Sequence, residues 1–215
     1  MSKFAKAVAV LSNGYRTMTA REFAGFLRLL LFRNDLILVY GRSLDDPELV
    51  QRRPDPRIRK GDLAELVSAR RQHSAVPWEL KCDLYDGVRD FFVHTDDGVL
   101  GHISWLYYRN DPNRILRLDE AECEIKFCLT LPEFRGKGIY PAALQAILQY
   151  LRERGYRRCF ICVKADNEPS IRGIEKAGFE RLGAVRLRKM LGLQVSAPKP
   201  TSQLTGAKEG QRWIA

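Results

Sequence analysis

Residues 124–155, EIKFCLTLPEFRGKGIYPAALQAILQYLRERG, decide the fold. The first eight alternate, with Ile125, Phe127, Leu129 and Leu131 on one face of a strand and Glu124, Lys126, Cys128 and Thr130 on the other. One face reads as core and the other as polar. From Ile139 the period becomes helical: Leu144, Ile147, Leu148 and Leu151 form an apolar stripe fit to pack back on the sheet, and Pro141 falls in the first turn, where a missing N–H is harmless. Between the two, Arg135-Gly136-Lys137-Gly138 sets two glycines and two cations where the helix's first N–H groups lack partners. Such a turn is a site for a phosphate.

The turn has neither the length nor the GK[ST] ending of a P-loop, and the chain contains no G-x-G-x-x-G. It resembles motif A of the GNAT acyltransferase superfamily, R/Q-x-x-G-x-G/A, read here at Arg135, Gly138 and Tyr140 and preceded by Leu129 to Phe134. Downstream, Asn167-Glu-Pro-Ser170 running on to Glu175-Lys176-Ala177-Gly178-Phe179 is similar to the superfamily's motif B. The resemblance spans Arg57 to Gly192. It implies an α/β GNAT fold: a mixed central sheet flanked by helices, with strands 124–131 and 159–164 parallel and splayed to admit the pantetheine arm of an acyl-CoA. It further implies acetyl-CoA as co-substrate and no metal. The thioester would lie along the backbone of Cys128, Leu129 and Thr130. The pyrophosphate would sit on the N–H groups of Gly136, Lys137, Gly138, Ile139 and Tyr140, beside the charges of Arg135 and Lys137, with Asn167 and Ser170 completing the cofactor site.

Acyl transfer to an amine needs the nitrogen neutral, so a base must take a proton directly or through water. On an unbroken strand, Glu120, Glu122 and Glu124 share a face with Cys128 and Thr130. Glu124 is the first candidate for the base. Neutralising Lys126, or binding the substrate's ammonium, is an equal reading of the same residue. His102 and Ser104 alternate along strand 99–108, making His102 a reserve candidate beside the structural use of a strand histidine. Two departures from the family pattern stand out. Ile174 occupies the place where family members often carry a tyrosine that protonates the departing thiolate, and Tyr140 stands where glycine or alanine is usual. The phenol of Tyr140 is thereby a third catalytic candidate, although packing is the commoner use of an aromatic ring.

Elsewhere the chain reads as one domain with extensions: residues 1–56, an acyltransferase domain over 57–192, and a Ser-, Pro- and Lys-rich tail over 193–215. Thr19-Ala-Arg-Glu22 is a capping box that opens a helix with Phe23, Phe26, Leu27, Leu30 and Leu31 on one face. That stripe needs cover, and docking on the domain itself or on the twin subunit of a homodimer is favoured over membrane contact. Leu36 to Tyr40 is a strand able to join a sheet edge. Asp62 caps a helix over 63–72, and Thr95-Asp96-Asp97-Gly98 turns a hairpin. The segment 73–88 is aromatic but unassigned. In 215 residues, a net charge of +10 and a pI near 9.6 favour acidic partners such as a polyphosphorylated cofactor. Five cysteines include Cys159-Phe-Ile-Cys162 inside an apolar strand, so a core role outweighs redox or zinc chemistry. An odd cysteine count without an apolar leader points to a reducing, cytoplasmic setting. The function expected is N-acetyl transfer to a small-molecule amine, an amino sugar or similar metabolite. The alternatives are a catalytically altered acyl-CoA-binding module and, without a supporting motif, a nucleic-acid-binding protein; no nucleic-acid partner is expected.

Overall fold

The computed structural model describes residues 33–46, 55–72, 76–190, 193–194 and 199–200. The expected helix from Thr19, with its stripe from Phe23 to Leu31, lies outside the described residues, as does His73. Contacts divide the chain into two compact units: Leu36–Val185 with Pro198–Ala215, and Met1–Asp35 with Arg186–Ala197. In the smaller, strand pairing joins Lys189 to Gln194 and Met190 to Leu193. The groove and the candidate residues described below lie in the larger.

Its strands and helices follow in chain order as β1 (Arg33–Ser43), β2 (Ile58–Lys60), α1 (Leu63–Arg71), a 3-10 turn (Trp78–Lys81), α2 (Cys82–Asp86), β3 (Phe91–Asp96), β4 (Val99–Tyr107), β5 (Leu116–Arg117), β6 (Glu122–Thr130), a 3-10 turn (Pro132–Phe134), α3 (Ile139–Glu153), β7 (Arg158–Lys164), α4 (Glu168–Lys176) and β8 (Glu180–Met190). The Asp62 carboxylate caps α1 by accepting from the Ala64 N–H at 2.6 Å. The β3–β4 hairpin turns at Asp97 (φ 48°) and Gly98 (φ 76°), the left-handed pair that matches strand twist. The unassigned 73–88 segment holds the first 3-10 turn and α2.

The main sheet runs β2-β3-β4-β6-β7-β1-β8 and ends on the two-residue strand Leu193–Gln194. β6 and β7 are parallel, and β1 pairs antiparallel to β7 from Ile37↔Lys164 to Ser43↔Arg158. The strand expected at Leu36–Tyr40 is therefore present, but inside the sheet and not at an edge. Leu38 and Tyr40 of β1 enter the same core cluster as Leu144, Ile147, Leu148 and Leu151 of α3. The opposite face buries Ile103, Trp105 and Tyr107 of β4 with Leu66 and Leu80, and farther along Val39 and Phe160 with Leu116 and Leu118. Both faces are thus covered.

β6 departs from simple alternation. Ile103 pairs with Leu129 but Trp105 pairs with Lys126, so Ser104 on β4 faces two residues, Phe127 and Cys128, and Phe127 takes a φ of 50°. This is a β-bulge, and it exchanges the faces of everything beyond it. Cys123 and Ile125 pack toward α3 before it, Cys128 packs toward α3 after it, and Phe127 and Leu129 pack on the other side with Trp105 and Tyr107. Glu124 consequently does not share a face with Cys128 and Thr130, as an unbroken strand would require.

Candidate active site

Parallel pairing of β6 with β7 ends at Ile125↔Ile161, although β6 continues to Thr130 and β7 to Lys164. Beyond that point the strands part, and one edge of residues 126–130 has no strand neighbour among the described residues. A groove of about 580 Å³ opens there. Cys128, Leu129 and Thr130 line its floor, the turn and first residues of α3 form one wall, and α4 forms the other.

The turn is built for close approach from outside. Gly136 (φ 76°) and Gly138 (φ 74°) both adopt the left-handed conformation, Gly138 as the residue preceding α3, and a Cβ on either would meet nothing within 4 Å. No carboxylate side chain caps α3, so its first N–H groups and positive dipole end face the groove. Arg135 is steadied by an Nε bond to the Thr130 carbonyl at 3.1 Å, and Lys137 lies over the Phe134 ring, 5.1 Å from its centroid. On the far wall, the Asn167 side chain accepts from the Ser170 N–H, capping α4. Arg135, Arg172 and Lys176 line the groove, and among the described lining residues there is no Asp or Glu. That balance fits a polyanion.

Of the expected cofactor residues, Cys128, Leu129, Thr130, Arg135, Gly136, Gly138, Ile139, Tyr140, Asn167 and Ser170 all line this groove, and Lys137 borders it in sequence. Pro169, Arg172, Gly173 and Lys176 also line it. No motif singles these four out, although their i, i+3, i+4, i+7 spacing marks one face of a helix.

The three catalytic candidates separate. Tyr140 lines the groove, its ring tilted against His102 with centroids 5.7 Å apart and pressed against Gly173. Burial, then the neighbouring Cys128, raises its phenol well above the usual value of 10. Burial likewise pushes the Cys128 thiol up to about 12, which rules it out as a ready nucleophile. His102 is 1% exposed, with Nδ1 2.8 Å from Thr130 Oγ1 and Nε2 2.7 Å from Ser104 Oγ. Burial lowers its pKa to about 3, so it stays a neutral bridge between strands and is no base at neutral pH. Glu124 lies on the other face, fully buried, one residue before the pairing of β6 and β7 ends. Its Oε2 accepts from the N–H groups of Ile115 (3.2 Å) and Leu116 (3.3 Å), while Oε1 is buried without an N–H or O–H donor among the described residues and the Cys162 thiol lies beside the carboxylate. Burial raises its pKa, against the pull of Lys126, these N–H donors and Arg114. Glu122 is tied to Arg158. Ile174 is fully buried beside α3 and does not line the groove.

The model of the family described as "Acetyltransferase (GNAT) domain" matches residues 27–180. The chain belongs to the GNAT acetyltransferase family. GNAT proteins are N-acetyltransferases that use an acyl-CoA and an amine. Among solved structures, the chain is similar to a GNAT-family acetyltransferase described from Novosphingobium aromaticivorans (24% identity, TM-score 0.51, covering 72% of this chain and 63% of that one). It is also similar to one from Colwellia psychrerythraea (14%, 0.53, 73% and 56%) and to a GCN5-related N-acetyltransferase from Sphaerobacter thermophilus (18%, 0.50, 83% and 59%). At these identities the likeness is one of fold. The chain spans 56–63% of the length of these three GNAT structures. No curated protein matches it. Among the described residues no helix is long and apolar enough to cross a membrane, and no group of three or more His, Cys, Asp or Glu could hold a metal.

Proposed function

We propose that this GNAT protein transfers acetyl from acetyl-CoA to the primary amine of a small molecule, an amino sugar or similar metabolite, by direct attack with general-base assistance. The observation that carries the reading is the parting of β6 and β7 after Ile125 and Ile161, beside the uncapped N-terminus of α3. A thioester arm can lie along the free edge of 126–130 there, while phosphates meet the turn 135–140. Acetyl-CoA supplies an activated acyl group. The chain's residues must then orient it, donate to the carbonyl oxygen as it gains charge, and remove a proton from the amine.

Backbone N–H groups of the free edge are the donors. Glu124 is the base: it sits at the fork, its raised pKa brings it nearer the operating range, and its Oε1, with no N–H or O–H donor among the described residues, has a lone pair to offer. With the bulge separating Glu124 from Cys128 and Thr130, the amine enters from the face opposite α3 and the cofactor from the α3 face. Tyr140, whose phenol holds its proton more tightly than an alkyl thiol of pKa about 8.5 does, serves the leaving thiolate as a hydrogen-bond donor and does not surrender the proton.

The second reading, an acyl-CoA-binding module without turnover, draws on Ile174, which is committed to the core where many relatives carry a tyrosine acid. The test of the cofactor assignment common to both is calorimetric titration with CoA. Tight binding is expected for the parent and its loss for Gly138→Glu, which puts a side chain at φ 74° and a negative charge at the helix N-terminus. Equal affinities would remove the assignment.

A further inference from the structure

Three charged side chains lie near one another at the segment 111–118, on the face opposite the groove, and two of them have bonding capacity unused among the described residues. Glu124 Oε1 is a buried acceptor with no N–H or O–H donor among the described residues, only the weakly donating Cys162 thiol beside the carboxylate, and Arg114 Nη1 is a buried donor without a hydrogen-bond partner among them. Lys126 is 8% exposed and its ammonium donates to the Asn113 carbonyl, with the rings of Tyr107 and Phe127 at 5.1 and 5.0 Å. Both cations are close enough to Glu124 to act on its charge. The other carboxylates of this neighbourhood are engaged elsewhere. Asp86 accepts from the Tyr107 hydroxyl and the Asn113 amide, and Asp111 from the Tyr108 N–H, while the Arg114 Nε donates only to the Asp111 backbone carbonyl at 2.7 Å. No ion pair joins either carboxylate to Lys126 or Arg114 among the described residues.

Buried polar atoms are nearly always satisfied, so unmet ones mark the place of something that satisfies them. Here the missing bonds are of two kinds: one acceptor beside the fork and one donor on Arg114, with the Lys126 ammonium adding its charge close by. A neutral amine would answer the first and leave two positive charges facing its other end. We propose that the acceptor substrate is an amine bearing an anionic oxygen group, a carboxylate or phosphate, which Arg114 and Lys126 hold while the amine meets Glu124. This rests on the acyltransferase reading and narrows its substrate class. The guanidinium gives a planar pair of donors suited to either oxyanion, and the ammonium adds a point charge.

The test uses the full chain, acetyl-CoA and matched amines that differ in the anion: O-phosphoethanolamine against ethanolamine, and β-alanine against its amide. The anionic member of at least one pair is expected to lead in kcat/KM by about tenfold or more, the scale of a charge-assisted bond. That ratio should fall toward one in Arg114→Gln and in Lys126→Gln, and survive in Arg114→Lys, which keeps the charge. Urea midpoints, measured on each variant, separate a misfolded protein from a lost preference, and the Arg114→Lys comparison decides if either Gln variant is unstable. Neutral amines acetylated as well as anionic ones, or a preference that persists in both Gln variants, would overturn this inference and leave the acyltransferase standing. No acetylation of any amine would remove both.

Discussion

Gly173→Ala is expected to do opposite things in two backgrounds. Gly173 lies inside α4, where glycine costs about 0.8–1.0 kcal/mol relative to alanine, so the substitution alone should stabilise the helix. A Cβ there, however, would stand 2.5 Å from Cδ1 and 2.9 Å from Cε1 of Tyr140. That ring is partly buried and bounded on another side by His102, so it can give way only toward the groove it lines. Overpacking of this kind costs ~1–3 kcal/mol, which less ~1 kcal/mol of helix propensity leaves a net loss of about 0–2 kcal/mol. With Tyr140→Ala already in place the clash disappears, and the same substitution should add ~1 kcal/mol. Urea denaturation of the four proteins of the cycle, with m-values compared for constancy, gives a coupling of ~1–3 kcal/mol. A second readout is CoA affinity, expected to weaken in Gly173→Ala alone as the displaced ring enters the groove. Equal stabilisation by alanine in both backgrounds would show that the Tyr140 ring does not rest on Gly173.

Glu124→Gln should lower kcat by ~10²–10⁴-fold with a much smaller change in the KM for acetyl-CoA, and remove the acid limb of the pH–rate profile, which in the parent lies above the ordinary carboxylate range of about 4.3. The same variant tests stability: a carboxyl whose folded pKa is raised contributes stability that is present in acid and lost as pH rises through that pKa, so Glu124→Gln should gain on the parent toward alkaline pH and converge with it in acid. For His102, lowered from 6.5 to about 3, the sign is reversed; its contribution is complete above the unfolded value and lost as pH falls toward 3, so His102→Gln should flatten the stability profile in that window while leaving the acid limb of the rate in place. Tyr40→Phe removes a 2.9 Å hydrogen bond to Glu175 of α4 and should cost about 0.5–1.5 kcal/mol in denaturation, with a weaker CoA affinity as the far wall of the groove loosens.

The strand, turn and helix of residues 124–155 were legible because their signals are local: a change of period from two to 3.6, and glycines and cations at the join. The bulge at Phe127 was not. A bulge that exchanges faces shows in the pattern only when one face is polar, and here both faces of β6 are covered, so Phe127 and Leu129 read as continuing the apolar row of Ile125 while lying opposite to it. Phe127 also reaches its φ of 50° without the glycine that would have announced it. Simple alternation therefore sets Glu124 beside Cys128, whereas the bulge puts it across the sheet. The position of β1 was hidden for a different reason. Leu36 to Tyr40 is plainly a strand in isolation, but its pairing with Ile161–Lys164 spans over a hundred residues, and nothing local distinguishes an inner strand from an edge. Arg172 and Lys176 were within reach of helical periodicity once α4 was placed.

The central claim is most directly tested by release of free thiol from acetyl-CoA in the presence and absence of an amine library, with the acylated product identified by mass. Amine-dependent thiol release matched mole for mole by an N-acetyl product, and suppressed in Glu124→Gln, is the result expected of an N-acyltransferase. Tight CoA binding with no amine-dependent thiol release from any amine would contradict it and leave a binding module.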